Sequence, residues 1–471
     1  MTDDTDASAP LTNHVYDALE VGQTASAART LTQQDIDLFA VVSGDINPAH
    51  MDPEYAATDF FHRIIAHGMW GGGLISAMLG TRLPGPGTIY VSQSLRFRAP
   101  VAIGDTITTT VSVREKRAGH RVVLDCRCVN QDGTRVIEGE AEVVAPTEPV
   151  TRPRMLLPEV RLMRHREFRR LLEDAEGLPK MRAAIVHPCD ATVIRAAADM
   201  VAAGLITPIL VGPVAKIRAA AAAASVAIET WRMEDTPHSH AAAARAVALV
   251  RAGEADLLVK GSLHTEELMR EVVAPEAGLR TERRLSHVYI MDVPTHPRPL
   301  LITDAAVNIR PDLAEKRDIV QNAIDLARAL GTPAPKVAIL AAVETVNPEM
   351  PATLEAAALC KMAERGQITG GVVDGPLAFD NAVSAEAARQ KGITSAVAGQ
   401  ADILVVPDLE AGNMLAKQLV FLAGADAAGV VMGARVPIVL TSRADSRRTR
   451  VASAAVAVIL AQVMRRGDRA P

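Results

Sequence analysis

Residues 88–144 contain IYVSQSLRFRAP (89–100), TITTTVSV (106–113), RVVLDCRCV (121–129) and RVIEGEAEVV (135–144), and their reading decides the fold of the N-terminal third. Apolar, mostly β-branched positions alternate with polar ones. The runs break at Gly104-Asp105, Gly119-His120 and Asp132-Gly133, which is the turn chemistry of strands in succession. The pattern predicts an antiparallel meander. Just upstream, residues 69–79 (MWGGGLISAML) have the length and content of a buried helix despite three consecutive glycines. One central helix wrapped by an antiparallel sheet, an α+β unit, is the expected architecture. Cys126 and Cys128, two apart in an alternating strand, point to one face and are expected to pack rather than to do redox chemistry.

Beyond this unit the periodicity changes. Prolines cluster in PTEPVTRPRMLLP (146–158), a composition that favours an extended connector. The expected limits are therefore 1–148 for the first domain, 149–158 for the linker and 159–471 for the second. The basic run RLMRHREFRR (161–170) leads into LLEDAE and reads as a solvated amphipathic helix rather than an anion patch. From Arg182 onward, apolar runs alternate with alanine-rich helical stretches: AAIVHP, PILVG, DLLVKG, HVYIMDV, PLLITDAA, KVAILAAV, GGVVDG, DILVVPD and VPIVLTS. Continuous Val/Ile/Leu runs of this kind indicate a mainly parallel sheet covered on both faces, an α/β domain. Open sheets of this class bind ligands at their strand ends. No GxxxxGK[ST] occurs, and no GxGxxG follows a strand, so neither common nucleotide-binding loop is supported.

Composition excludes several function classes. The 471 residues are too many for one core, and 49% hydrophobic with 22% charged residues is that of an ordinary globular protein. The net charge of -5 and an aromatic content of 3% argue against nucleic acid as a partner. Four scattered cysteines make neither a disulfide framework nor a zinc site, and a reducing cytoplasm is expected. The polar N-terminus carries no apolar signal, and no apolar run is long enough for a membrane helix.

Two constellations carry chemistry. In SGDINPAH (43–50), Asp45 and His50 can converge across Pro48 on one water as a metal-free acid/base pair, and Asn47 can orient that water. His67-Gly68 opens the predicted helix, so the Gly68 N–H would project from its positive end toward a developing oxyanion. The same Asp and Asn can equally cap a turn. The assembly as a whole (Phe39, SGDINPAH, DPEYA, AHGM and PGPGTIYVSQSLRFRAPV followed by Gly104-Asp105) resembles the MaoC-like (R)-specific enoyl-CoA hydratases over about the first 145 residues. That resemblance implies a hot-dog fold, usually dimeric, with Asp45 and His50 as the catalytic pair, Asn47 assisting, Gly68 as oxyanion donor and His67 at the substrate. It implies addition of water to a trans-2-enoyl thioester, giving a 3-hydroxyacyl-CoA.

In the α/β part, polar residues recur after strands: Lys260 and Ser262, then Asp374, Gly375 and Asp380, then Asp408, Gly412 and Asn413, then Ser442, Arg443 and Asp445 before the last helix. A hydroxyl and a guanidinium at a helix N-terminus make a good anion site. Any one of these loops alone is ordinary turn chemistry. Together, EADLLVKG, LSHVYIMDV, ITDAAVNIRPDL, AAVETVNPEMPATLEAA, GGVVDGPLAFDNAVS, ADILVVPDLEAGN and VLTSRADS resemble the phosphate acetyl/butyryltransferases, the butyryl branch most closely. The resemblance implies a two-lobed α/β fold like that of isocitrate dehydrogenases, with Ser442 and Arg443 holding the phosphoryl oxygens. It also implies CoA thioesters and inorganic phosphate as substrates, with no tightly bound cofactor and no metal. The acetyl branch has an Asp six residues past that Arg as proposed base for the CoA thiol, whereas here the position is Thr449, and the base stays unassigned. The expected protein is a cytoplasmic, homo-oligomeric enzyme that joins an enoyl-CoA hydratase to a phosphate acyltransferase. The alternatives are an active hydratase with a CoA-binding, oligomerising scaffold and, more weakly, a dicarboxylate dehydrogenase.

Overall fold

The computed structural model describes residues 9–155, 160, 166–440 and 445–467. Its contacts divide the chain into Met1–Leu162 and Met163–Pro471.

The first unit holds β1 (Leu11–Thr12), β2 (Thr24–Thr30), α1 (Gln33–Ser43), α2 (Pro48–Met51), α3 (Pro53–Thr58) and α4 (Gly68–Thr81). Strands β3 (Ile89–Phe97), β4 (Thr106–Arg117), β5 (Arg121–Val129), β6 (Arg135–Val144) and β7 (Thr151–Arg152) follow. The five longer strands form one antiparallel sheet in the order β2-β4-β5-β6-β3. Only β4, β5 and β6 make the expected meander. β3 pairs with β6 rather than with its successor β4. The segment between β3 and β4, residues 98–105, includes Pro100 and is too long for a tight hairpin, so β2 takes the free side of β4 instead. β7 lies in the proline-rich segment and pairs with β1.

Burial follows the pleat. Ile107, Val111 and Val113 on β4, Leu124, Cys126 and Cys128 on β5, and Val136, Ala141 and Val143 on β6 join Trp70, Ile75, Met78 and Leu79 of α4 in one core. Burial pushes the Cys126 thiol up to about 12, as expected of a packing residue. The glycines of α4 let the helix lie close to the sheet: a Cβ at Gly71 would stand 2.3 Å from Ile137 Cδ1.

The second unit is α/β. Its strands are β8 (Met181–Val186), β9 (Ile206–Gly212), β10 (Arg232–Asp235), β11 (Leu257–Lys260), β12 (Ser286–Asp292) and β13 (Leu300–Thr303). They continue with β14 (Lys336–Leu340), β15 (Val372–Leu377), β16 (Ile403–Val405), β17 (Asp426–Met432) and β18 (Ile438–Val439). All lie in one sheet, ordered β10-β9-β8-β11-β18-β17-β12-β13-β16-β14-β15. One face is covered by α5 (Arg166–Ala175), α6 (Ala191–Ala202), α7 (Val214–Ala224), α10 (Leu313–Ala329), α11 (Pro351–Glu364) and α15 (Arg447–Arg465). On the other, α8 (Ser239–Arg251) and α9 (Thr265–Val272) cover one half. There α12 (Phe379–Val383), α13 (Ala385–Gln390) and α14 (Leu409–Leu422) cover the second half. Phe168, Leu171 and Ala175 form the buried stripe of α5, which takes in the second half of the basic run read as an amphipathic helix; residues 161–165 of that run lie outside the described residues.

The strand directions place the site. β17 and β12 each pair antiparallel on both sides, so the parallel set β10-β9-β8-β11-β18 runs opposite to the parallel set β13-β16-β14-β15. Loops that follow the two sets therefore leave opposite edges of the sheet.

Candidate active sites

In the first unit, Asn47 caps α2 through the Ala49 N–H at 3.1 Å, and Asp45 Oδ1 accepts the Asn47 N–H at 3.2 Å. The capping reading of these two residues is thus correct as local structure. It also does more, because the tight turn aims Asp45 and His50 at His67. The Asp45 carboxylate and a ring nitrogen from each of His50 and His67 lie within 4.8 Å of one another. The His50 and His67 rings are 4.1 Å apart, and Phe39 backs His67 at 4.9 Å.

Hydrogen bonds fix the tautomers. The carbonyl of Ile65 can only accept, so His50 Nδ1, at 2.9 Å, carries the hydrogen and Nε2 of the neutral ring is a free base. By the same reasoning His67 Nε2 donates to the Asp45 carbonyl at 3.0 Å. His67 is 2% exposed, and its Nδ1 has no partner among the described residues. Asp45 itself is exposed. The triple is the only His/carboxylate group among the described residues tight enough to hold a cation.

Beside it opens a cavity of about 350 Å³, lined by His50, Phe60, Trp70, Phe97, Val136 and Ile137. Gly68 begins α4, where the first N–H groups have no carbonyl inside the helix to bond. A Cβ there would meet the Phe97 ring at 3.0 Å, so glycine keeps this mouth open. The arrangement offers two bases for one water, an oxyanion donor and an apolar slot.

In the second unit, Ser442 and Arg443 lie outside the described residues. The other expected residues separate into two groups. Lys260 ends β11, 8% exposed, and shares the lining of a small cavity with Arg450 of α15, which is 4% exposed. Arg450 Nε donates to the Asp445 carbonyl at 3.4 Å. Asp408, Gly412 and Asn413 follow β16, which runs the other way. Asp408 caps α14, and Asn413 donates to the Ala305 carbonyl at 3.2 Å. A Cβ at Gly412 would press on Val406 at 2.7 Å and on the Asp304 carbonyl at 2.9 Å. Asp374 and Gly375 stand within β15 rather than in a loop after it. There Gly375 lets the strand approach β14, since a Cβ would lie 2.7 Å from the Ile339 carbonyl. Asp380 begins α12 and pairs with Lys391 at 3.4 Å.

Several residues that sequence reasoning did not single out line these groups. Asp190 caps α6 and accepts the Ser262 hydroxyl. Burial raises the Asp190 carboxyl, but Ser262, the backbone N–H groups of Val193 and Thr192, and Arg450 more than offset it and hold it below the ordinary range. Asp304, nearly enclosed, is pushed up by burial against four lowering bonds from Ala306, Val307 and Asn308. Between the two groups, on central strand β12, the rings of His287 and Tyr289 stand 4.3 Å apart. Burial lowers His287 to about 4, and burial with Asp445 and Asp304 raises Tyr289. The polar residues within ITDAAVN and HPCDA were the only sequence signal for Asp304 and Asp190.

Known proteins match both units. A family model described as MaoC like domain matches residues 17–128, and one described as Phosphate acetyl/butaryl transferase matches residues 238–458. A phosphate acetyltransferase of Rhizobium meliloti is 64% identical over 295 residues, covering 63% of this chain and 93% of the relative. The chain belongs to the phosphate acetyltransferase family, with a MaoC-like domain fused ahead of it. A phosphate butyryltransferase of Clostridium acetobutylicum is 40% identical over 296 residues, covering 63% of this chain and 98% of the relative. Those two identities run against the expected closeness to the butyryl branch. Among solved structures, a branched-chain phosphotransacylase from Enterococcus faecalis is 31% identical, with a TM-score of 0.53, over 60% of this chain and 99% of its own. An R-hydratase from Pseudomonas aeruginosa is 46% identical over 32% of this chain and 99% of its own, with a TM-score of 0.32. In this phosphate acetyltransferase family member no described helix is long and apolar enough to cross a membrane.

Proposed function

We propose that the chain is a bifunctional acyl-CoA enzyme, which hydrates trans-2-enoyl-CoA in its MaoC-like unit and transfers acyl groups between CoA and phosphate in its C-terminal unit. The observation that carries the first half is the convergence of Asp45 and His50 Nε2 beside an apolar cavity at the start of α4. A water between them hydrogen-bonds to both bases; one base takes one of its protons and the other hydrogen stays on the oxygen as the new hydroxyl. Its oxygen bonds to C3 of the enoyl thioester, C2 takes a proton from the pair, and the Gly68 N–H holds the enolate oxygen. Asn47 keeps the turn that sets their spacing, and His67 holds the Asp45 carbonyl.

For the second half, buried Lys260 and Arg450 supply positive charge, with Arg450 bonded to the Asp445 carbonyl, and the family resemblance gives phosphate to Ser442 and Arg443, which lie outside the described residues. Asp408, Gly412, Asn413 and Asp374 shape the part of the unit around Asp304 and β15. The change of strand direction at β17 and β12 supports a two-lobed unit of the isocitrate dehydrogenase type. We assign no tightly bound cofactor, a cytoplasmic location, and domain limits of 1–148 and 159–471 around the linker. Edge strand β3 exposes Ile89, Tyr90, Val91 and Phe97, which supports assembly at least as a dimer. The test is a panel of enoyl- and acyl-CoAs with phosphate, scored for 3-hydroxyacyl-CoA and for acyl phosphate. Hydration without acyl phosphate from any donor would reduce the C-terminal unit to a CoA-binding scaffold.

A further inference from the structure

We infer that the second unit carries a nucleotide-binding site separate from its acyl-transfer residues, in a cavity of about 780 Å³ between two loops and the end of α15. None of the residues that line this cavity belongs to either group of expected site residues. It uses neither of the glycine-rich phosphate loops sought in the sequence, because its charge comes from side chains.

The segment before β12, residues 280–284, meets the turn between β17 and β18. Arg280 and Ala434 form an antiparallel bridge, and the Arg435 N–H donates to the Leu279 carbonyl at 2.9 Å. The Thr281 hydroxyl donates to the Gly433 carbonyl at 2.7 Å. Gly433, at φ 83, permits this approach, since a Cβ there would stand 2.5 Å from the Arg284 carbonyl. The pairing places Arg280 and Arg435 at neighbouring positions on a fixed scaffold. Cavity and acyl-transfer residues lie on opposite edges of this half of the sheet: the cavity is at the start of β18, whereas Lys260 and Ser262 stand at the end of β11, which runs parallel to β18.

The lining has three parts. Arg280, Arg283 and Arg435 supply positive charge. Arg283 is paired with Asp325 of α10, whereas the guanidinium groups of Arg280 and Arg435 have no partner among the described residues. Glu282 is the one lining carboxylate left unpaired, so positive charge prevails. Pro437, Val463 and Met464 form an apolar wall. The third part is Asn322 of α10, which is 1% exposed. Its Nδ2 donates to the Arg284 carbonyl and to the Ser286 hydroxyl, each at 2.9 Å. Both amide hydrogens are thus used, and Oδ1, which has no partner among the described residues, is a buried acceptor left for whatever enters the cavity.

The ligand that satisfies all three parts has two or more negative charges at one end, a flat or apolar body, and an N–H or O–H donor. A nucleoside diphosphate combines them: its phosphates suit the two free guanidinium groups, its base the aliphatic wall, and its amino or hydroxyl hydrogens the Asn322 acceptor. Inorganic phosphate alone would leave the wall and Asn322 unused, and a fatty acid brings no donor for Asn322. The volume lies within the range of about 300–1,000 Å³ usual for small-molecule sites.

The test is isothermal titration of the full chain with ADP, inorganic pyrophosphate and adenosine. ADP is expected to bind, with each of the other two, which hold only part of its contacts, weaker by about tenfold or more. Arg280→Ala and Arg435→Ala change exposed side chains and are each expected to weaken ADP about tenfold or more, the usual worth of a hydrogen bond to a charged group. In both variants the KM for CoA in acyl transfer and the rate of crotonyl-CoA hydration are expected to match wild type. ADP is also part of CoA, so ADP bound equally by wild type and both variants would sit in the acyl-CoA sites, and the assignment would be overturned. Failure of ADP to bind the wild type overturns it too, as does pyrophosphate binding as tightly as ADP. A raised KM for CoA in the variants would assign the cavity to acyl transfer and overturn it likewise.

Discussion

The two candidate sites are built in opposite ways. In the first unit Asp45, Asn47 and His50 come from six consecutive residues, and His67 and Gly68 join them after one short excursion. In the second, Asp190, Lys260, Ser262 and Arg450 come from three separate parts of the chain, and they meet because β8 and β11 are neighbours in the sheet and α15 packs near them. The first site opens on a mainly apolar cavity. The second sets buried Arg450 and Lys260 near Asp190, whose carboxyl is held low by hydrogen bonds and by Arg450. A site closed by a turn works from local spacing, whereas a site closed by strand order works from topology.

The largest effect expected from this contrast is at Asp45. Asp45→Asn removes a base from a site with no spare carboxylate, and hydration of crotonyl-CoA should fall by about 10²- to 10⁴-fold. Acyl transfer should be untouched, as measured on the same preparation. Loss of both activities together would break the separation of the two regions.

Next comes Arg443, whose role rests on the family resemblance. Arg443→Ala should cost about 2–5 kcal/mol of transition-state binding, read as lower kcat/KM for phosphate. Arg443→Lys should remain well below wild type, because an ammonium cannot make the two-point contact. Unchanged phosphate kinetics in both variants would move the anion site elsewhere.

A stability change sharpens the comparison from the other side. Ile75 on α4 is fully buried in the core of the first unit, and Ile75→Ala should remove about 2–5 kcal/mol from that core. Followed by differential scanning calorimetry, the unfolding of residues in the first unit should shift down while acyl transfer retains its wild-type thermal inactivation. Joint loss would show one cooperative unit rather than two.

The smallest effect is electrostatic. Burial raises the Asp256 carboxyl, but Arg182, at 2.7 Å, and Arg465 more than offset it and hold it below the ordinary range. Its stabilisation is therefore complete above the unfolded carboxylate value of about 3.9, and is lost as the pH falls through the lower folded value. The melting temperature of the wild type should approach that of Asp256→Asn between about pH 4 and pH 2. A constant gap over that range would remove the ion pair from the account.

Legibility followed the same contrast. The strands of both units stood out wherever Val, Ile and Leu ran together, but β10 (RMED) is a polar edge strand and β17 (DAAGVVM) opens on small residues, so neither carried a strand signature. The pairing of β3 with β6 could not be read, because strand order depends on where a distant β2 docks. The Asp45 to His50 turn was readable from spacing, but spacing alone read as a turn cap, and the catalytic reading came from the resemblance of the whole stretch. Asp190 and Arg450 were not, since nothing along the chain says that the tip of β8 lies beside that of β11, or that two antiparallel strands send the loops after β16 to the opposite edge.

One measurement bears most directly on the claim of two independent sites in one chain. Purified protein is given crotonyl-CoA and butyryl-CoA in separate runs over a series of phosphate concentrations, with double-bond loss and free thiol followed together. The account predicts that double-bond loss from crotonyl-CoA proceeds at the same rate with or without phosphate, and that thiol release from butyryl-CoA is absent without phosphate and saturates as it is added. Thiol release that ignores phosphate, or hydration that requires it, would contradict the account.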